Sequence, residues 1–214
     1  MDIKVLLQSG SEELGTPLSP AQTTLFFIYL SELKRWNRRV NLTSIREDKE
    51  IIVKHFLDSL SCLKGFIPQE GSKVIDIGTG AGFPGIPIRI YAPFLDLTLL
   101  DSSEKKTTFL HYLCGKLGIT DINIINDRLE GLVKKRAYIG GFDIILIRAL
   151  GNITDILEQG MLLLNHEGIV LLCKGKNIDN DLKLLQKRYK VRVINFILPF
   201  SDYERNLIIV KKHI

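Results

Sequence analysis

Cysteine is scarce in this chain: Cys62, Cys114 and Cys173 stand far apart among 214 residues. No CxxC pair occurs, and the four histidines make no ligand spacing with the cysteines. That pattern argues against a disulfide framework or a zinc site and fits a reducing compartment. Long apolar runs are also missing. The run Gly168-Ile169-Val170-Leu171-Leu172 is far too short to span a bilayer. Met1-Asp2-Ile3-Lys4 lacks the basic start and long apolar stretch of a secretory signal. The expectation is a soluble, cytoplasmic protein without a membrane partner. Neither sign of charge dominates strongly: 29 Lys and Arg against 24 acids give +5, which permits a polyanionic partner without demanding one. Internal repeats and low-complexity segments are absent. Hydrophobic residues at 45% and charged residues at 25% exclude disorder, collagen and coiled coil.

What is present divides into a helical first third and an alternating remainder. Ser19-Pro20-Ala21-Gln22 offers an N-cap serine, a proline at the first helical position and a capping-box glutamine. Leu25, Phe26, Ile28, Tyr29, Leu30, Leu33 and Trp36 follow at helical spacing, with Arg35, Arg38 and Arg39 at the basic end. A second helix is expected from near Asp48, stopping at Lys64-Gly65. From Lys73 the period changes. Short buried strands are predicted at 74–77, 97–100, 122–125, 143–147 and 169–172, with helices between them; the clearest runs from Glu104 to Leu117, before Gly118. Such alternation means βαβ units and a parallel sheet covered on both faces. Residues 191–197 and 207–210 read as two further strands joined by a short loop, an antiparallel arrangement. The expected organisation is an N-terminal helical extension over residues 1–66 and an α/β domain over 67–214.

The strongest chemical signal is Asp76-Ile77-Gly78-Thr79-Gly80-Ala81-Gly82-Phe83-Pro84-Gly85, set between a buried strand and a helix. Glycines there let the backbone turn tightly and approach a ligand. A dinucleotide loop needs a third glycine at position 83, where Phe83 stands. The actual spacing, an acid followed by Gly78, Gly80 and Gly82, is that of the S-adenosylmethionine loop of Rossmann-like methyltransferases. A carboxylate beside the loop suits that cofactor's cationic end. A plain strand–helix turn is the competing reading. Asp101 closes the second strand, roughly 20 residues past the first glycine, where an acid can accept ribose hydroxyls. NAD enzymes share that feature, and a helix cap before Glu104 is the other use. Asn126, Asp127, Arg128, Leu129 and Glu130 follow the third strand, within reach of an adenine; Arg128 and Glu130 read equally as solvated first-turn residues. Arg148-Ala149-Leu150 and Lys174-Gly175-Lys176 end the next two strands and suggest an anionic substrate, against a charged rim of no consequence. Cys173 has no histidine after it to activate it, His55 reads as a helix-packing residue, and His111 reads as surface.

Taken together, the strings Asn37 to Arg46 (containing NLTSIR), His55 to Leu60 (HFLDSL), Asp76 to Pro87, Leu99-Leu100-Asp101-Ser102, Arg148-Ala149 and Lys174-Gly175 resemble one family. It is the glucose-inhibited division protein B family, also called ribosomal RNA small subunit methyltransferase G, and the resemblance covers about residues 20 to 212. It implies a Rossmann-like methyltransferase fold, with a mostly parallel seven-stranded sheet, an antiparallel C-terminal strand and the helical extension. It implies methylation of guanine N7 in 16S ribosomal RNA by S-adenosyl-L-methionine, with 16S rRNA or the small ribosomal subunit as partner; a monomer is expected, although the sequence does not fix the oligomeric state. The family's cofactor contacts fall on Gly78, Phe83, Leu129, Glu130 and Arg148, with Asp101 at the ribose position. Ile147 departs from the serine often found there.

Guanine N7 carries a lone pair and no proton, so no general base is required, which agrees with the lack of an evident nucleophile–base pair. Asp127, Glu130 and Arg148 are the weak candidates for a catalytic role, the two carboxylates because positive charge develops on the purine. Arg35, Arg38, Arg39, Arg46, Lys174, Lys176 and Arg205 are candidate phosphate contacts, each with a solvated face as its alternative. The rival functions are a methyltransferase of small molecules or proteins, an RNA-binding protein with a vestigial cofactor fold, and an NAD dehydrogenase.

Overall fold

In the computed structural model, residues 2–148 and 153–212 are described; the Ala149 and Leu150 of the strand-end motif lie outside them. The extension begins with α1 (Ile3–Glu13), capped by the Asp2 carboxylate, and α2 (Pro20–Asn37). Ser19 and Gln22 form the expected capping box reciprocally. The sequence reading did not anticipate α1. Its Gly10 lies where a Cβ would run into Leu57, so a residue of poor helix propensity is what allows close packing.

The expected second helix is a chain of segments: α3 (Asp48–Ile51), a π-helical stretch Ile52–Leu57, α4 (Asp58–Leu60) and a 3₁₀ turn Ser61–Lys64. Then strands and helices alternate: β1 (Lys73–Ile77), α5 (Gly85–Tyr91), β2 (Asp96–Asp101), α6 (Glu104–Leu117), β3 (Ile122–Asn126), α7 (Leu129–Leu132), β4 (Phe142–Arg148), α8 (Ile153–Leu163), β5 (Leu164–Lys174), α9 (Asp179–Leu185), β6 (Lys190–Ile197) and β7 (Glu204–Lys211). Gly118, at φ 69°, ends α6 in the left-handed conformation.

The seven strands form one sheet in the order β3-β2-β1-β4-β5-β7-β6. Pairs among β1 to β5 are parallel, and β7 runs antiparallel to both β5 and β6. The α/β fold with one antiparallel C-terminal strand is therefore as expected. Two cores follow from the period-2 alternation of strand side chains. Val74, Leu97, Leu99, Ile144, Leu146 and Leu171 point to the face covered by α5, α6 and the extension. Ile75, Ile77, Leu100, Ile145 and Leu172 point to the other, beneath α7, α8 and α9. The extension contributes Leu7, Phe26, Tyr29, Leu33, Ile52 and Phe56 to the first core, so it packs as part of that layer. Fully burying one such side chain is worth roughly 1.5–3 kcal/mol. Strand order reverses between β1 and β4, which opens a crevice beyond the carboxyl ends of the strands. Among the described residues no helix is long and apolar enough to cross a membrane.

Candidate functional site

The glycine loop leaves β1 at the reversal point. Gly78 has φ 70° and Gly82 φ 100°, a region closed to most side chains. A Cβ on Gly82 would also stand 2.7 Å from Ile86 and 2.8 Å from the Tyr29 hydroxyl. That hydroxyl donates to the Ala81 carbonyl at 2.5 Å, so a residue of α2 clamps the loop from behind. Asp76 holds it from below. One carboxylate oxygen accepts from Thr79 Oγ1 at 2.7 Å and from Gly85 N–H at 2.8 Å. The other is buried without a hydrogen-bond partner. Burial raises this carboxyl to about 6, against the pull of those two donors.

An open cleft of about 250 Å³ lies over the ends of β1, β2 and β3. Gly78, Asp101, Asp127, Leu129 and Glu130 line it, together with Arg128. The sequence reading placed all of these at one rim. Ile77, Leu100, Leu129 and Ile156 give an apolar floor; Ile156, from α8, carried no sequence signal. Asp101 is buried and shared: Oδ2 accepts from Gly80 N–H at 2.8 Å and Oδ1 from Ser103 N–H at 2.9 Å. Each oxygen retains a lone pair for a further donor. Asp101 is therefore part of the loop's own scaffold as well as of the cleft wall. The Asp127 carboxylate accepts from Lys135 Nζ at 2.9 Å and from Arg128 N–H at 2.8 Å, and the lysine bond holds it below the usual carboxylate range.

Phe83 and Arg148 sit elsewhere, on the side of the loop that faces the extension. The Phe83 ring is stacked between Tyr29 (centroids 5.2 Å) and His55 (4.5 Å). Arg148, at the end of β4, donates to the Lys54 carbonyl at 2.7 Å and lies 3.2 Å from Asp58 Oδ2 and 3.2 Å from His55 Nδ1. Asp58 is buried and also accepts from Arg205 Nε at 2.7 Å. Arginine only donates, so His55 Nδ1 accepts and Nε2–H donates to Thr43 Oγ1 at 2.8 Å. Burial and the adjacent arginine lower the imidazole to about 3, so the ring is neutral. His55 has the helix-packing role expected of it, and it joins the NLTSIR loop to the glycine loop.

Among the candidate phosphate contacts, Arg35, Lys174, Lys176 and Arg205 are paired with Glu32, Asp181, Glu204 and Asp58. Arg38, Arg39 and Arg46 are exposed and have no ion-pair partner among the described residues. Cys62 and Cys173, remote in sequence, meet with their sulfurs 3.0 Å apart as free thiols. His111 is exposed.

The cleft can take a flat apolar group on its floor, offers acceptors to hydroxyls through Asp101, and presents carboxylates to a cation. These residues fit an adenosine cofactor with a cationic end, and the unpartnered Asp76 oxygen beneath the loop agrees with such a ligand.

Comparison with known proteins gives the same direction. A family model described as rRNA small subunit methyltransferase G matches residues 22–208. A protein of that name from Thermoanaerobacter pseudethanolicus is 38% identical over 213 residues, covering 97% of this chain and 89% of the relative. Another of that name, from Dictyoglomus thermophilum, is 41% identical over 190 residues, covering 89% and 78%. Among solved structures, a SAM-dependent methyltransferase from Aquifex aeolicus superposes with TM-score 0.59 at 17% identity, covering 75% of this chain and 92% of that one. TrmK of M. capricolum, in complex with S-adenosyl-homocysteine, gives 0.57 at 19% identity, covering 72% and 67%. At these identities the structural likeness shows the fold alone.

Proposed function

This chain belongs to the rRNA small subunit methyltransferase G family, and on that premise we propose that it methylates N7 of a guanine in 16S ribosomal RNA with S-adenosyl-L-methionine as donor. The observation that carries the reading is the cleft over β1, β2 and β3, with Gly78 at its base and the Asp101 carboxylate on its wall. When bound, the donor supplies an electrophilic methyl group on a sulfonium, which the N7 lone pair can take without a general base.

The protein's part is alignment and electrostatics. Gly78 leaves room for close approach, Asp101 accepts hydrogen bonds from hydroxyls, and Leu129 with Glu130 forms the far wall. Phe83 and Arg148 act from the other side, as the rigid backing of the loop. We assign to Glu130, and to Asp127 beside its Lys135 partner, the offset of positive charge developing on the purine. The target base has to leave its stack to be reached, and the unpaired arginines of the extension supply phosphate contacts. A methyltransferase acting on a small molecule or protein is disfavoured, because it calls for a closed apolar pocket, whereas the cleft is open and edged by Asp101, Asp127 and Glu130.

The test is methyl transfer from radiolabelled S-adenosylmethionine to small ribosomal subunits lacking the modification. N7-methylguanine is then located by borohydride-induced strand scission. Label at one guanine N7 is expected; label at another atom, or on protein only, overturns the assignment.

A further inference from the structure

The molecule has a second polar hollow, remote from the strand ends in sequence. It lies between the carboxyl end of α2 and the loop that follows, residues 38–46, and encloses about 460 Å³. One wall is apolar, with the half-buried Ile45 standing over the buried Leu33 and Ile51; the rim carries Lys34, Arg38 and Arg46, and no carboxylate lines it. Lys34 is paired with Asp48. Arg38 and Arg46 are exposed without an ion-pair partner among the described residues, so their guanidinium groups remain available.

The hollow is built rather than accidental. Asn37 turns its side-chain amide to the loop: Oδ1 accepts from Leu42 N–H (2.8 Å) and Thr43 N–H (3.0 Å), and Nδ2 donates to the Thr43 carbonyl (2.8 Å). Leu42 is buried and anchors the loop. Asn41, by contrast, stands exposed in the lining with its amide free to pair with a base edge. Thr43 is in the lining as well, and its hydroxyl takes the His55 bond whose ring stacks on Phe83.

We propose that this hollow binds one unstacked nucleotide of the RNA substrate, with its phosphate on Arg38 and Arg46 and its base against the apolar wall. The proposal rests on the RNA reading above and deepens it. Two planar guanidinium forks match phosphate oxygens, an apolar wall accepts a base face, and a free amide reads its edge. RNA is recognised by such splayed bases rather than through helical grooves. Through Thr43 and His55, the occupied hollow is one ring away from the glycine loop. The competing use of these cations is to offset the partial negative charge at the end of α2.

The experiment compares wild type, Arg38→Gln/Arg46→Gln and Ile45→Trp, the last filling the hollow with every charge kept. Unmodified 16S transcript assembled into small subunits is the substrate, with free guanosine monophosphate as a separate probe. Both variants should raise KM for the subunit by roughly tenfold, in the range of lost base contacts, with kcat and S-adenosylmethionine affinity unchanged. A transcript carrying 4-thiouridine should crosslink wild type within residues 38–46, a readout that needs no variant to fold. Crosslinks found only elsewhere, or an Ile45→Trp protein with wild-type KM, overturn the hollow as a nucleotide site. Saturation by free guanosine monophosphate with RNA unable to compete assigns it to a free nucleotide and also overturns the proposal. A loss of stability in the arginine pair with KM unchanged assigns them to the helix end. A wild type that methylates no RNA overturns the function itself, which separates the two failures.

Discussion

The cleft over the strand ends and the hollow beside α2 differ in sign and in origin. The cleft is edged by three carboxylates, Asp101, Asp127 and Glu130, against one cation, Arg128, and is built where three parallel strands end. The hollow is edged by Lys34, Arg38 and Arg46 and is built by one asparagine folding a loop onto itself. A cationic cofactor and a polyanionic substrate need these opposite environments in one molecule. Keeping them in separate places prevents the carboxylates that suit the first from repelling the second.

The largest expected break in this comparison comes from Gly78→Val. Position 78 sits at φ 70°, where a β-branched residue is strained, and the added atoms stand at the base of the cleft. Calorimetry should find no cofactor binding, while filter binding to small subunits stays at wild-type level; tight cofactor binding by a folded variant rules out the loop's role. Asp101→Ala comes next. It removes an acceptor from the cleft and releases Gly80 N–H, so affinity for the cofactor should fall by about 1.5–3 kcal/mol, roughly tenfold to a hundredfold. An unchanged dissociation constant would leave Asp101 a purely structural residue.

Protonation sharpens the contrast within the cofactor side. Folded His55 is neutral down to about 3, whereas an unfolded histidine takes its proton near about 6.5. Below that pH its contribution therefore favours unfolding, increasingly as acid is added. Asp76 works in reverse: folded, it takes its proton near about 6, and unfolded only near about 3.9. Between those values the folded state binds the extra proton, so stability rises as pH falls. In the wild type the two slopes oppose each other. Asp76→Asn, which keeps the oxygen that Thr79 and Gly85 use, should leave the His55 slope exposed and lose about 2 kcal/mol more than wild type between about pH 6 and about pH 4.5. His55→Gln should gain a comparable amount over the same interval. Urea unfolding at the two pH values measures both, and parallel curves for all three proteins contradict the burial assigned to these groups.

The smallest effect belongs to the basic side. Arg38→Ala/Arg39→Ala should flatten the slope of log affinity for RNA against log salt by roughly one unit, since each phosphate contact on a single strand contributes about 0.7. Cofactor affinity should not move. An unchanged slope returns both arginines to the solvent.

Much of the cofactor side was legible because its signals are local. The strand pattern, the Gly78-Gly80-Gly82 spacing and the acid ending β2 all fall within one or two βα units. The partners of Arg148 were not legible. Lys54, His55 and Asp58 are some ninety residues away from it, and nothing in a helix that reads as ordinary core announces that a π-helical turn will present them to a strand end. The meeting of Cys62 with Cys173 is hidden for the same reason. The basic side was legible only in part: the Glu32–Arg35 pair lies within α2 at i,i+3, whereas the pairing of Arg205 with Asp58, far away in sequence, is a property of packing. α1 was missed because Gly10 and Ser11 lower helix propensity, a cost offset by close contact with Leu57.

Gln22 carries a consequence for how the chain is made. Its side-chain oxygen completes the cap of α2, and its amide nitrogen donates to the carbonyls of Ile90 (3.1 Å) and Tyr91 (2.9 Å) at the end of α5. During synthesis from the amino end, α2 leaves the ribosome long before those carbonyls exist. Its apolar face, with Phe26 and Leu33, can meet α1 and Phe56 early, but its partners at the end of α5 come only after the glycine loop has emerged. For that interval the part of the extension that faces α5 waits uncovered, and the layer is complete only when α5 arrives to receive it.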